Sequence, residues 1–454
     1  MRGAAGGANL LALRSHNTAL VLDLLRTAGG AGISRLELAE RTGLTPQAVS
    51  KITARLRGEG LAAEAGRRAS TGGKPRTVLR LVPGAGHALG VHLDRDELRA
   101  VLVDLDGTVV AERRAPLDLG AGAETVLEMV ARAAEELAEE GLGHLVAEGA
   151  RVPGAALAAA PTLLGLGVAL PGPLDHVRGV LHRITGFPGW DGYPLREALE
   201  RRLGVPVVVD KDTNAAALGL AVGGAGAEEG SKAGGEEGSG AGVEAGGAGG
   251  ERGSGAVGER GSGAGGERGS GAGVEAGGAG GQRGSGAGGE AAGAGARGGS
   301  FAYLHLGTGL GAGLVFGGGV HRGARTGAGE FGHQVVQLDG PPCTCGARGC
   351  IEALCLAAVA RGDLAEAARV LGTGAANLAG LLDIDLVLLG GRTVAAAPEA
   401  FVHGVGAVLD ARARREGGHD GPVPVRLAPA GTRGVAEGAA QLLLAPLFGR
   451  GEGG

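Results

Sequence analysis

No run in this 454-residue chain approaches the roughly 20 consecutive apolar residues of a membrane-spanning helix. Its first residues lack the charged start, apolar run and cleavage site of a secretory signal. We therefore expect a soluble, cytoplasmic protein with no membrane partner. Cysteine is scarce, four in all. A disulfide framework is not expected, because Cys-x-Cys bridges only under strain and nothing points to export. Tryptophan occurs once, and Trp190 reads as a packing anchor rather than a ligand contact. Large apolar residues are almost missing from 223–299, a stretch of Gly, Ala, Ser, Glu and Arg. One run, Gly-Ser-Gly-Ala-Gly-Val-Glu-Ala-Gly-Gly-Ala-Gly-Gly, stands there at 238–250 and again at 269–281. Such a segment cannot bury enough surface to offset its ordering entropy, so it is expected to be disordered. It has no apolar face to stack, which excludes a solenoid.

The length allows two or three domains with a sizeable core, and the charge is unevenly spread. Residues 1–82 carry 13 Lys and Arg against 5 Asp and Glu, while the rest carries 30 against 43. A basic head on an acidic body implies that only the head meets a polyanion. Leu20–Leu25 lies in a first amphipathic helix. Ser34-Arg35-Leu36-Glu37 is a capping box that opens a second, and Gly43 makes the turn. Thr45-Pro46 supplies an N-cap and a proline at the first position of a third helix. Val49, Ile52 and Leu56 share its core face, leaving Gln47, Ser50, Lys51 and Arg55 towards solvent. Gly66–Arg76 follows as a flexible basic loop before a strand at Thr77–Leu81. The pattern predicts a winged helix-turn-helix over residues 1–82, its third helix in a major groove and its wing on phosphates or in a minor groove. The candidate DNA contacts are Thr45, Gln47, Ser50, Lys51 and Arg55 of the helix, with Lys74 and Arg76 of the wing.

Three of the four cysteines fall in Cys343-Thr344-Cys345-Gly346-Ala347-Arg348-Gly349-Cys350. Zinc prefers thiolate and imidazole, and three Cys plus one His close a tetrahedral structural site. Cys343 and Cys345 can grip the ion from a tight turn, while Gly346 and Gly349 let the backbone fold back to bring in Cys350. His333 is the natural fourth ligand. Cys355 is the other candidate, and reads instead as a small apolar group on the helix that follows.

Glu330-Phe331-Gly332-His333, followed by this cysteine stretch and Glu352, resembles the signature of the ROK family (repressors, open reading frames and sugar kinases). That signature runs Glu-x-Gly-His, then Cys-x-Cys-Gly-x-x-Gly-Cys-x-Glu. The resemblance covers almost the whole chain apart from 223–299. It implies an α/β fold: a two-lobed actin-like ATPase body behind the winged head, its first part at 83–222 and its second, with the zinc site, at 300–454. It also implies a sugar pocket, in which Glu330, His333 and Glu352 match the family's sugar ligands. Asp210-Lys211-Asp212-Thr213-Asn214 stands where the family has Glu-Asn-Asp-x-Asn, so Asp212 matches the kinase base and Lys211 replaces a sugar-binding Asn. Structural zinc would hold the His333 loop at the pocket, one ring nitrogen on the metal and the other facing a hydroxyl.

The departures matter as much. The family's Asp-x-Gly-Gly-Thr phosphate turn is His92-Leu93-Asp94-Arg95-Asp96 here, without its glycines and threonine, and carboxylates point where a triphosphate would lie. Phosphoryl transfer rests on positioning and charge neutralisation. The chain is therefore not expected to be an enzyme, and no catalytic residue is assigned. Gly307–Val315 keeps the second glycine hairpin. Leu378–Leu389 leads to Gly390-Gly391-Arg392, with Arg392 at the last glycine of the family's Val-Leu-Gly-Gly-Gly, and Ala353–Asn377 is shorter than the family's helical region. The expected function is a sugar-responsive transcriptional repressor of carbohydrate genes, a homodimer or dimer of dimers with operator DNA and a sugar or sugar phosphate as partners. A sugar kinase using Asp212, or a DNA-binding protein without sugar response, are the alternatives.

Overall fold

The computed structural model describes residues 16–68, 76–143, 157, 160, 162–182, 184, 186–223, 299–417 and 421–450. The insertion expected to be disordered lies outside the described residues apart from its two end residues, as do Lys74 and the tip of the wing.

In the head, α1 (His16–Ala28), β1 (Ile33–Ser34), α2 (Arg35–Thr42), α3 (Pro46–Gly58), β2 (Ala62–Arg68) and β3 (Arg76–Leu81) follow one another. The expected boundary signals operate. The Glu37 amide donates to Ser34 Oγ at 3.3 Å, and the Ser34 amide donates to the Glu37 carboxylate at 2.9 Å. Gly43 ends α2 in the left-handed conformation, φ +69°. Thr45 caps α3 by accepting from the Ala48 amide at 3.2 Å, with Pro46 at the first helical position. The strands pair antiparallel in the order β1-β3-β2, completing a winged helix-turn-helix. The basic segment is less of a loop than expected, since β2 runs on to Arg68. The core face of α3 is wider than expected. Val49 and Leu56 are fully buried and Ile52 packs against them half-buried, and Thr53, which was not expected there, is fully buried as well. Its hydroxyl donates to the Val49 carbonyl at 2.8 Å, which lets a polar side chain sit in that core.

The first lobe of the body contains β4 (His87–Leu93), β5 (Glu97–Asp104), β6 (Val109–Pro116), α4 (Ala123–Leu142) and β7 (Leu163–Leu170). A short ribbon, β8 (Leu174–Asp175) and β9 (Val180–Leu181), precedes α5 (Leu195–Leu203), β10 (Val207–Lys211) and α6 (Asp212–Gly223). The second lobe has β11 (Phe301–Leu306), β12 (Leu310–Phe316), β13 (Gly319–Val320), α7 (Ile351–Ala360) and α8 (Leu364–Leu382). It continues with β14 (Leu386–Gly390), α9 (Arg392–Ala396), α10 (Pro398–Glu416), β15 (Val425–Leu427) and α11 (Gly434–Leu444). The first sheet is ordered β6-β5-β4-β7-β10 and the second β13-β12-β11-β14-β15. In each, three antiparallel strands pass into two parallel ones. One five-strand order used twice is the actin-like architecture. The stretch Leu378–Leu389 straddles two elements, because α8 runs to Leu382 before β14 begins.

Helix α11 is the shared spine. A Cβ at Gly90 of β4 would stand 2.0 Å from the Ala436 carbonyl, and one at Gly438 would stand 1.9 Å from the Ala215 carbonyl of α6. Backbone meets backbone at both places, and only glycine permits it. The same helix joins the head to the body. Val21, Leu22 and Leu25 of α1 belong to one continuous buried cluster with Val101, Val103, Leu443, Leu444, Leu447 and Phe448. Arg450 forks onto the Asp23 carboxylate at 2.9 and 3.0 Å, and the Arg26 guanidinium lies 4.4 Å over the Phe448 ring. Trp190 packs as expected, 3 % exposed, its indole N–H donating to the Leu119 carbonyl at 2.9 Å.

Candidate functional site

Side chains of the two lobes meet through Lys211 and Glu330, Asp94 and Thr308, and Asp96 and Arg392. After β12 the chain turns through Glu330 into a 3-10 turn at Phe331–His333. Backbone bridges pair Val335 with Cys350 and Pro342 with Arg348, folding the cysteine stretch into a knuckle. Gly349, φ +67°, lies where a Cβ would be 1.6 Å from the Gln337 carbonyl, so the fold-back needs glycine. Cys350 then caps α7, which carries Glu352 in its first turn.

The knuckle brings His333, Cys343, Cys345 and Cys350 together, with donor atoms within 4.8 Å of one another. His333 Nδ1 is 3.7 Å from Cys343 Sγ, and Cys345 Sγ is 3.7 Å from Cys350 Sγ. A tetrahedral zinc–sulfur length of about 2.3 Å demands donor separations of about 3.8 Å, so the four residues fit the ion. Burial, together with the neighbouring thiols, pushes the Cys350 thiol up to about 12; a bound cation would offset that charge. Cys355 stands apart. It is fully buried in the second lobe's core, its thiol 3.5 Å from the Ala367 carbonyl and pushed up to about 12 mainly by burial. It packs as the apolar group its helix position implied.

Around the cleft, Asp212 opens α6 and accepts the Thr213 amide at 2.6 Å. Lys211, before it, is almost wholly buried. Its ammonium is bonded to the Ala328 carbonyl and lies 3.3 Å from Glu330 Oε1. Lys211 therefore engages a neighbouring side chain of the cleft, whereas Glu330 keeps a side chain 43 % exposed. Glu352 is 7 % exposed, and its Oε2 accepts the Leu310 amide at 2.8 Å, bracing the second glycine hairpin. Next to Lys211, buried Asp210 accepts Arg322 Nε at 2.7 Å and Asn214 Nδ2 at 2.9 Å.

The turn after β4, expected from the resemblance to stand at the phosphate position, also meets the second lobe. His92, next to last in β4, is 8 % exposed, and its Nε2 has no hydrogen-bond partner among the described residues. Its ring lies 6.2 Å from that of His305, edge to face, and His305 Nδ1 is 2.9 Å from the Tyr303 hydroxyl. Burial holds the His92 imidazole below its ordinary range despite nearby Asp212. Asp94 accepts the Thr308 hydroxyl at 2.6 Å, and Arg392 forks onto Asp96 at 2.7 and 2.9 Å. The contacts of Tyr303, His305, Thr308 and Arg322 were not foreseen. For Arg392 there was a signal, since the resemblance sets it at a glycine of one turn and sets Asp94 and Asp96 at a glycine and a threonine of another.

On the head, Thr45, Gln47, Ser50 and Lys51 are all exposed on the N-terminal half of α3, and Arg76 is exposed at the start of β3. Arg55 is also exposed, yet its Nη2 donates to Thr18 Oγ1 at 2.6 Å and ties α3 to α1.

Among the described residues, no helix is long and apolar enough to cross a membrane. The family profile described as ROK family matches residues 88–264 and 284–361. The chain is 22 % identical over 320 residues to the xylose repressor of Bacillus subtilis, a match covering 70 % of this chain and 61 % of that protein. It is 30 % identical over 216 residues to the DNA-binding transcriptional dual regulator NagC of Escherichia coli, covering 48 % of each. The chain thus spans less than two thirds of either relative. A solved ROK family transcriptional regulator, a homologue of the E. coli MLC protein, superposes with a TM-score of 0.59 at 17 % identity over 96 % of this chain and 98 % of the other. A ROK family glucokinase from Streptomyces griseus gives 0.50 at 22 % identity over 79 % and 99 %. Both likenesses concern the fold.

Proposed function

The chain belongs to the ROK family, and from that premise we propose that it is a sugar-responsive DNA-binding regulator, a repressor that does not phosphorylate its ligand. The observation that carries this reading is the joining of two parts. A winged helix-turn-helix with exposed Gln47, Ser50 and Lys51 shares a core with a ROK body. In that body Asp94 and Asp96, which the resemblance sets in the family's phosphate turn, are engaged by Thr308 and Arg392. Its relatives include proteins named xylose repressor and NagC.

In this reading α3 enters a major groove with Thr45, Gln47, Ser50 and Lys51 at the bases or phosphates. Arg76 and Lys74 of the wing add backbone contacts, and Arg55 orients the helix through Thr18. The sugar lies against Asp212, Glu330, His333 and Glu352, with Lys211 acting through Glu330. His333, Cys343, Cys345 and Cys350 would hold structural zinc, which supplies rigidity to the Glu330–His333 turn and leaves no open position for chemistry. Sugar biases lobe closure, and α1, sharing the body's core, carries the change to the spacing of two heads in a cytoplasmic homodimer.

The test uses duplexes selected by the full-length protein from a random-sequence pool. Lys51→Glu and Gln47→Ala should weaken binding to the selected duplex, the second by about 1–3 kcal/mol of discrimination at one base pair. Equal binding by wild type and Lys51→Glu would contradict the reading, and so would ATP-dependent phosphorylation of a hexose that Asp212→Ala abolishes.

A further inference from the structure

We propose that Arg392 closes the phosphate end of the cleft from within, latching the first lobe's Asp94–Asp96 turn to the second lobe and setting how far the lobes open. The turn that carries it is fixed. Gly391, φ +94°, lies where a Cβ would be 2.4 Å from the Leu306 carbonyl, so the segment between β14 and α9 is seated on the end of β11. From there Nη1 reaches Asp96 Oδ2 at 2.9 Å and Nη2 reaches Asp96 Oδ1 at 2.7 Å, the parallel fork that suits guanidinium to carboxylate. Nη2 also stands 3.4 Å from Asp94 Oδ2. The β11–β12 hairpin adds a second tie, the Thr308 hydroxyl donating to Asp94 Oδ1 at 2.6 Å. Two separate segments of the second lobe thus hold adjacent carboxylates of the first.

The residues involved are those that depart from a phosphate-binding design. A nucleotide would need free donors here, yet the guanidinium and the hairpin hydroxyl are both engaged by the protein's own carboxylates. The arrangement explains why the two new acids coexist with a new arginine. Each alone would leave like charges facing each other or a cation without a partner. Asp94 is largely buried, whereas the side chains of Asp96 and Arg392 are 58 % and 39 % exposed. An ion pair that wet is screened by salt, so the latch can release.

Hydrogen exchange on the full-length protein, read by mass spectrometry, tests the latch without sugar or DNA. Its failure would therefore leave the regulatory reading standing, and the reverse also holds. Arg392→Ala should speed exchange several-fold, on the order of 3–10, in peptides covering 93–98 and 306–311 together, with 345–352 unchanged. About 1 M NaCl should do the same to wild type and add little to the variant. Exchanging the charges, Asp96→Arg with Arg392→Asp, should restore protection in both peptides. Faster exchange confined to 93–98 would reduce Arg392 to a local surface pair and overturn the proposal. So would unchanged exchange in both peptides, or a charge-exchanged protein as open as Arg392→Ala.

Discussion

At the scale of single residues, the cleft is built from charges that answer one another. Burial alone would raise the Asp94 carboxyl, but the Thr308 hydroxyl, His92, the Arg95 amide and Arg392 together hold it below its ordinary 3.8. A carboxyl lowered on folding contributes stability that is complete above its unfolded value and lost as pH falls through the folded one. Wild type should therefore lose more stability than Asp94→Asn between about pH 5 and pH 3, in urea midpoints measured across that range. Parallel acid limbs would mean that the folded protein does not favour the Asp94 carboxylate. Lys211 gives a second case. Lys211→Met removes the donor from the Ala328 carbonyl and the cation from Glu330, and should cost about 1–3 kcal/mol in urea unfolding. An unchanged midpoint would show that the ammonium is not held as described. The sequence named Asp94, Arg95, Asp96, Lys211 and Arg392 as departures from a pattern, but it could not show which charge meets which. Asp96 and Arg392 stand far apart along the chain, one in the β4–β5 turn and one after β14, and only the packing of the first lobe against the second brings them together.

At the scale of elements, the legible features were those with local causes. The capping box of α2, the Thr45-Pro46 start of α3 and the β11–β12 hairpin depend on neighbours in sequence, and each formed where its residues put it. The cysteine knuckle was legible for the same reason. Cys345→Ser should lower bound zinc from about one per chain towards zero, read by elemental analysis of protein purified without added metal. Full zinc content in that variant would remove Cys345 from the donor set. What the sequence obscured were faces set by distant packing. Thr53 joins Val49, Ile52 and Leu56 in the α3 core because its hydroxyl can return to the Val49 carbonyl, a choice that periodicity of apolar residues does not register. The division of Leu378–Leu389 between α8 and β14 was hidden likewise, since an apolar run alone does not tell helix from buried strand.

At the scale of the whole molecule, the basic head and acidic body differ in charge but not in core. Phe448 and Leu447 from the C-terminal end pack with Leu22 and Leu25 of α1, far away in sequence, so a boundary at residue 82 cuts through a shared cluster. Deleting residues 1–82 should bare Leu447 and Phe448, each worth about 1.5–3 kcal/mol when buried, and yield a body that aggregates on size exclusion. Lys51→Glu, which touches only the exposed face of α3, should stay as well behaved as wild type. A monodisperse, equally stable deletion would show the head to be independent of the body. The shared core is also what would let a ligand between the lobes reach the DNA. The most direct test of that claim is the affinity of the full-length protein for its selected duplex, measured while D-xylose, N-acetylglucosamine or glucose is titrated in. The account predicts that one sugar shifts the affinity by about tenfold or more, roughly 1.4 kcal/mol of coupling, and that Glu330→Ala abolishes the shift without changing sugar-free binding. A sugar that shifts wild type and Glu330→Ala alike would contradict it, and so would a protein that binds no duplex more tightly than Lys51→Glu does.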